Sequence, residues 1–494
     1  MIDGENGLLP IALFDAKDGW DALLKLARPH LDAAGLDRLK AAADLARCVA
    51  VEHHYIDKDY RDTFSHYYSK RFSTPSSRCI RLHFFRSPLT REQLRNQEVA
   101  QAAYLGYSVI RPIRPNCVGR TLLAPDARAT TLGAVCLCEE KVSLQGLELS
   151  VEGFPFISQD AEVNVCAQAA LWMLVRYFSN RYRVYPETYP YEVGDLTRDY
   201  SIGRLFPTAG LFVWQMAEAL RQMGFSPVIY SRDQYVGNFD HLLYTYIESG
   251  FPVFAGFQRH VVVMFGHLSD YGGVAAAAPA ANSPFIFSSA FNTGFVGNDD
   301  NGIPYQLLHA QPHAASPQVM SFKNVAYQTK DIQSFVVPLP EKVFLPAEGF
   351  EKVATTILGS TQAGYKALSA QIASAAPLLR LFLTTGQSFK KRLSERGMGH
   401  ATAQEVYRNL PLPHFIWVCE ISHPSIYPGK VLGEIIWDAT RNAYEPDGWI
   451  ALHYPEVLVV DVGSALNGPQ SLQSFKLDQN TAYPVYRSNL KEIR

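Results

Sequence analysis

The stretch GFPFISQDAEVNVCAQAALWMLVRYF, Gly153 to Phe178, decides how the rest of this 494-residue chain is read. It opens on a short apolar segment, passes through a polar turn holding Gln159, and sets Cys166 at the first turn of a predicted helix. From Cys166 to Phe178 only Gln168 and Arg176 are strongly polar, so the helix is expected to be buried nearly all round. Ala167, Ala169 and Ala170 keep its first turns slim enough for another layer to pack closely. A cysteine so placed meets the positive end of the helix dipole, where free N–H groups favour a thiolate. Cysteine is also among the residues most often buried for packing alone, so the position by itself carries little.

Two further stretches give it weight. GFPVFAGFQRHVVVMFG, Gly250 to Gly266, reads as a buried strand, a short break, and a second strand beginning at His260. After a strand-like run at Phe285 to Phe287 comes FVGNDDNGIPY, Phe295 to Tyr305, which places Asp299 and Asp300 at a strand end. The order is glutamine, cysteine on a helix start, histidine on a strand start, acid at a strand end.

In that order the sequence resembles the papain-like cysteine peptidases, most closely their bacterial C39-like branch. The match covers about Gly153 to Pro338. It departs at Ala167-Gln168, where the branch has Gly-Pro, and in a longer interval from histidine to acid. The resemblance implies an α+β fold with a papain-like core, in which a cysteine-bearing helix packs on an antiparallel sheet. It implies Cys166 as nucleophile, His260 as base and acid, Asp299 (or Asp300) as the group orienting the imidazole, and Gln159 as an oxyanion donor. Such a site cleaves a peptide or isopeptide bond through an acyl-enzyme. Acyl transfer to an amine uses the same site, and a catalytically silent binding or sensor module keeps the same fold. A protein or peptide substrate is expected, with no metal and no organic cofactor. Asn292, Asn298 and Asp270 are alternatives for the orienting group.

Composition sets the class. Hydrophobic content of 47% suits sizeable cores, and a net charge of −2 gives no argument for nucleic acid or an anionic membrane. The amino terminus lacks a secretory pattern, no run reaches the roughly 18 apolar residues of a membrane span, and seven scattered cysteines suit a reducing compartment. A cytoplasmic protein is the expectation, and the resemblance implies a bacterial one.

In chain order, residues 1–152 read as an α+β domain, 153–340 as the peptidase-like domain, and 341–494 as a helical segment with a small β-rich domain. Trp20 to Cys48 has helical periodicity, with Pro29 separating two helices. His53, His54, Asp57 and Asp59 lack diagnostic metal spacing and read as surface or packing residues. Thr90 to Gln93 fits a capping box opening a helix to about Tyr104. Arg111, Arg114 and Arg120 read as a solvated face or internal ion pairs. Cys136 and Cys138 lie two apart in a strand-like run and read as buried thiols. Gly272 to Pro284 is a small-residue insertion near the candidate acid, a surface loop or a lid. Phe350 to about Arg396 reads as interrupted helix. Phe415 to Ile421, Val431 to Trp437 and Trp449 to Tyr454 read as strands. Cys419, Asp438 and His453 form a second, weaker thiol constellation, and His267 is a rival base at the far end of the His260 strand.

Overall fold

The computed structural model describes residues 8–12, 16–28, 30–114, 116–200, 205–207, 210–279, 283–359, 376–393, 400–441, 448–465, 471–477 and 482–493. The fold is mixed α+β. Among the sheet strands every pairing is antiparallel except Ile286–Phe287 beside Leu378–Leu379.

The first sheet is a five-stranded meander: Leu8–Ala12, Cys48–Tyr55, Cys79–Phe85, Tyr104–Ile110 and Val118–Leu123. Cys79–Phe85, Tyr104–Ile110 and the edge strand Val118–Leu123 are buried along their whole length, Arg81, His83 and Arg120 included. Val49 and Val51 join the main core, while Cys48 and Ala50 face a second cluster with Tyr60 and Tyr107. The helices Ala16–Ala27 and Ala33–Ala42, the latter capped by Asp32, match the helical periodicity only as far as Ala42, since Cys48 opens a strand; Pro29 lies outside the described residues. The Thr90 capping box is present, but the helix breaks at Asn96, whose side chain caps a second helix, Gln97–Ala103.

The second sheet orders its strands Gln306–His309, Asn292–Asn298, His260–Ser269, Val253–Phe257, Ser334–Pro340 and Phe225–Ser231. Gly133–Val135 pairs with the far half of the His260 strand, and Lys491–Ile493 pairs with Gly133–Val135. Cys136 and Cys138 therefore do not share one strand: Cys138 opens a separate hairpin, Cys138–Leu144 with Leu147–Gly153. Cys166–Arg181 packs across this sheet with every residue from Ala167 to Phe178 buried, as its composition required. Phe154, just ahead of the helix, stacks on Phe265 of the His260 strand at 3.8 Å between ring centroids.

The third sheet runs Ile286–Phe287, Leu378–Thr385, Phe415–Ser422, Gly433–Asp438, Trp449–Tyr454, Val457–Asp461 and Leu472–Lys476. Here one expectation fails. Leu378–Thr385 (LLRLFLTT) is an inner strand, not part of a helix. A continuous apolar run of this length fits a buried strand or a buried helix equally well, and pairing on both sides settles it. Helix is present at Ala347–Gly359 and Gly386–Lys391, while 360–375 and 394–396 lie outside the described residues. Of the two readings of the insertion after Ser269, the lid is the one the fold disfavours. It leaves the end of the strand opposite His260, about 30 Å away at ordinary strand rise, so its described residues start far from Asp299. Its Val274 is buried with Ile286 and Leu378; residues 280–282 lie outside the described residues.

Candidate active site

The loop into the Cys166 helix is built from polar contacts. Asp160 Oδ1 accepts from the backbone N–H groups of Glu162, Val163 and Asn164, folding the chain so that Ala161 takes a positive φ of 61°. Arg111 donates to the Ser158 carbonyl at 2.9 Å and lies 3.9 Å from Asp160, so one arginine of the basic cluster anchors the loop from inside. Arg120, equally buried, lies between Asp57 and Asp59 at 3.4 and 3.7 Å. Asp59 in turn accepts from Trp172 Nε1 and Arg176, tying the first sheet's region to the Cys166 helix. At the helix start, N-cap Val165 offers no side chain to the first-turn N–H groups. All seven cysteines are free thiols. Cys166 is the one that is not buried, whereas burial pushes the others up, Cys136 to about 12.

His260 opens its strand directly after a two-residue turn, with Phe257 as its partner in the preceding strand. On the other side Val263 pairs with Asn298, so the start of the histidine strand lies beside the end of the strand that leads into Asp299. The side chains meet there. His260 Nε2 lies 2.8 Å from Asp299 Oδ1 and 3.8 Å from Asp300 Oδ1. The same Asp299 oxygen accepts the Asn301 N–H at 2.9 Å. The Cys166 thiol lies close enough to the imidazole to help hold its proton. With Nε2 committed to Asp299, Nδ1 is the nitrogen left to face the sulfur. Burial alone would lower the imidazole's pKa; the bonds to Asp299 and Cys166 outweigh it and, with both aspartate charges, raise it to about 11. Burial, and next the charge of Asp299, push the Asp300 carboxyl up to about 7.

No family model, curated protein or solved structure matches this chain. The chemistry must be read from its own geometry.

Three of the four residues singled out in the sequence therefore come together, with His260 between Cys166 and Asp299. Gln159 lies across the same group, its Nε2 donating to the Asn301 side chain. Asn301 is the residue sequence reasoning missed. An asparagine two positions past Asp299, in an Asn-Gly turn, was the available signal, but its bonds to Asp299 and Gln159 exist only in three dimensions.

The alternatives for the acid have structural tasks. Asn298 is buried and spans from the Pro155 carbonyl to the Tyr305 N–H, while Asn292 and Asp270 each cap a local N–H two residues on. His267 is taken up by Glu248 at 2.5 Å and Ser269 at 3.1 Å, in a different cavity of about 290 Å3. The second thiol constellation is not assembled. Cys419 pairs with Ile435, whereas His453 pairs with Glu434, which pairs with Glu420, so Cys419 and His453 lie on opposite faces of the sheet. Asp438 accepts from Thr440 near the strand end.

Proposed function

We propose that the chain is a cysteine-dependent hydrolase with a papain-like core, cleaving a peptide or isopeptide bond in a protein or peptide substrate. One observation carries the reading: a single imidazole holds Asp299 at 2.8 Å on Nε2 and has the helix-start thiol Cys166 beside it. In the proposed reaction His260 already holds the thiol proton as imidazolium, and the Cys166 thiolate Sγ bonds the acyl carbon. The carbonyl oxygen gains the negative charge, and the Cys166 backbone N–H with an N–H of Gln159 receives it. Gln159 has two amide protons, and only one is spent on Asn301. Collapse breaks the carbon–nitrogen bond and the departing amine takes the proton from His260. Water, losing its proton to His260, then cleaves the thioester and restores the thiol. No described helix is long and apolar enough to cross a membrane; a cytoplasmic setting belongs to this proposal.

The test is trapping of an acyl-enzyme from a peptide library, followed by intact mass, together with turnover of any peptide so found. Cys166→Ala should abolish the adduct with little change in melting temperature. His260→Ala should lower turnover about a thousandfold or more, and the double variant should be no worse, because the two act as one unit. A folded Cys166→Ala protein that keeps its cellular phenotype would replace the hydrolase with the binding module.

A further inference from the structure

Acyl transfer leaves one buried group of this site unused. Asp300 is 1% exposed, and neither of its carboxylate oxygens has a hydrogen-bond partner outside its own backbone among the described residues. A buried carboxylate is ordinarily hydrogen-bonded, paired, protonated or bound to a metal. Asp300 stands beside a second carboxylate and a histidine. One donor atom each from His260, Asp299 and Asp300 lies within 4.8 Å of the others. The distances from His260 Nε2 are 2.8 Å to Asp299 and 3.8 Å to Asp300. A small divalent ion with bonds of about 2.0–2.2 Å holds neighbouring ligands about 3–3.5 Å apart, so these donors need only small shifts to surround one. An entry path exists as well. Asp299, Asn301 and Gly302 line an open cavity of about 450 Å3 together with Asp37 and Arg38.

We propose that His260 Nε2, Asp299 and Asp300 form a divalent-cation site, completed by water from this cavity. One imidazole and two carboxylates suit Zn2+ or Mn2+ better than thiolate-seeking ions. Binding takes the Nε2 lone pair and releases that nitrogen's proton to solvent. The remaining ring proton then sits on Nδ1, facing Cys166, and the ring can no longer accept the thiol proton. The cation is thus an inhibitor of the thiol; this consequence rests on the hydrolase reading, whereas the site itself does not.

Calorimetric titration of metal-free full chain with ZnCl2 and with MnCl2 tests it. Wild type and Cys166→Ala should each bind one equivalent of at least one ion with similar affinity. Asp300→Asn and His260→Ala, shown folded by circular dichroism, should bind at least about tenfold more weakly. Wild type that binds neither ion, an Asp300→Asn protein that matches wild type, or a Cys166→Ala protein that loses binding would overturn the site. Filling the site should also slow iodoacetamide labelling of Cys166; unchanged labelling on the metal-loaded protein would overturn the inhibition. A failed hydrolase reading shows separately, as a folded Cys166→Ala protein that stays active.

Discussion

His260 sits between a thiol and a carboxylate, and its protonation state reports on both. Burial opposes the imidazolium, yet its partners raise the pKa to about 11. A histidine whose folded pKa exceeds its ordinary 6.5 stabilises the fold fully below about pH 6.5 and loses that contribution as pH climbs toward 11. In metal-free wild type the imidazole carbon and proton resonances should therefore not titrate between about pH 7 and 9. In Asp299→Asn the midpoint should fall by at least about two units, since the amide removes the adjacent charge. A wild-type midpoint near the ordinary histidine value would sink the thiolate–imidazolium pair. The acid was only half legible in the sequence. Asp299 and Asp300 are chemically identical neighbours, and what separates them is the Asn301 N–H held on Asp299.

The strands carrying His260 and Asp299 meet through their backbones, and one residue permits it. A Cβ at Gly297 would overlap the Val263 carbonyl oxygen across the ladder and crowd Met264 and Met320. Neither the oxygen nor its strand can retreat without parting the two elements that bring histidine to acid. Gly297→Ala is expected to destabilise the protein by about 2–3 kcal/mol in urea unfolding. It should also slow Cys166 labelling more than an equally destabilising core change far from the site does. If labelling follows stability alone, this spacing does not set the triad.

At the scale of the whole molecule, the second and third sheets are joined by buried charge. Arg380 of the third sheet contacts Glu248, which holds His267 of the second, and also bonds Glu420 at 2.7 Å. Arg380 and Glu420 are cross-strand partners, so register places the ladder. Burial would raise the Glu248 carboxyl, but Arg380 and then His267 pull it down to about 2. A depressed carboxyl stabilises the fold above about pH 4.5 and loses that contribution as pH falls toward 2. Glu248→Gln should cost about 3 kcal/mol at pH 7 and much less at pH 3. An equal cost at both values would assign the effect to packing. The arginine, its glutamates and His267 are far apart in sequence, and nothing local in any of them announces the others.

Local chemistry made several elements readable in advance. An unbroken apolar period with cysteine at its start gave the buried Cys166 helix, and the polar pair between two β-branched and aromatic runs gave the turn before His260. Both rest on contacts within a few residues, where side-chain period and turn propensity dominate. The tertiary structure alone decided the rest. It made Leu378–Thr385 a strand by supplying neighbours on both sides, and it put Cys419 and His453 on opposite faces of one sheet. Register decided that His260, not His267, lies beside Asp299, because pairing Val263 with Asn298 sends the far end of that strand toward Glu248. Such pairings join residues tens of positions apart, and packing of the whole chain selects them where no local pattern can.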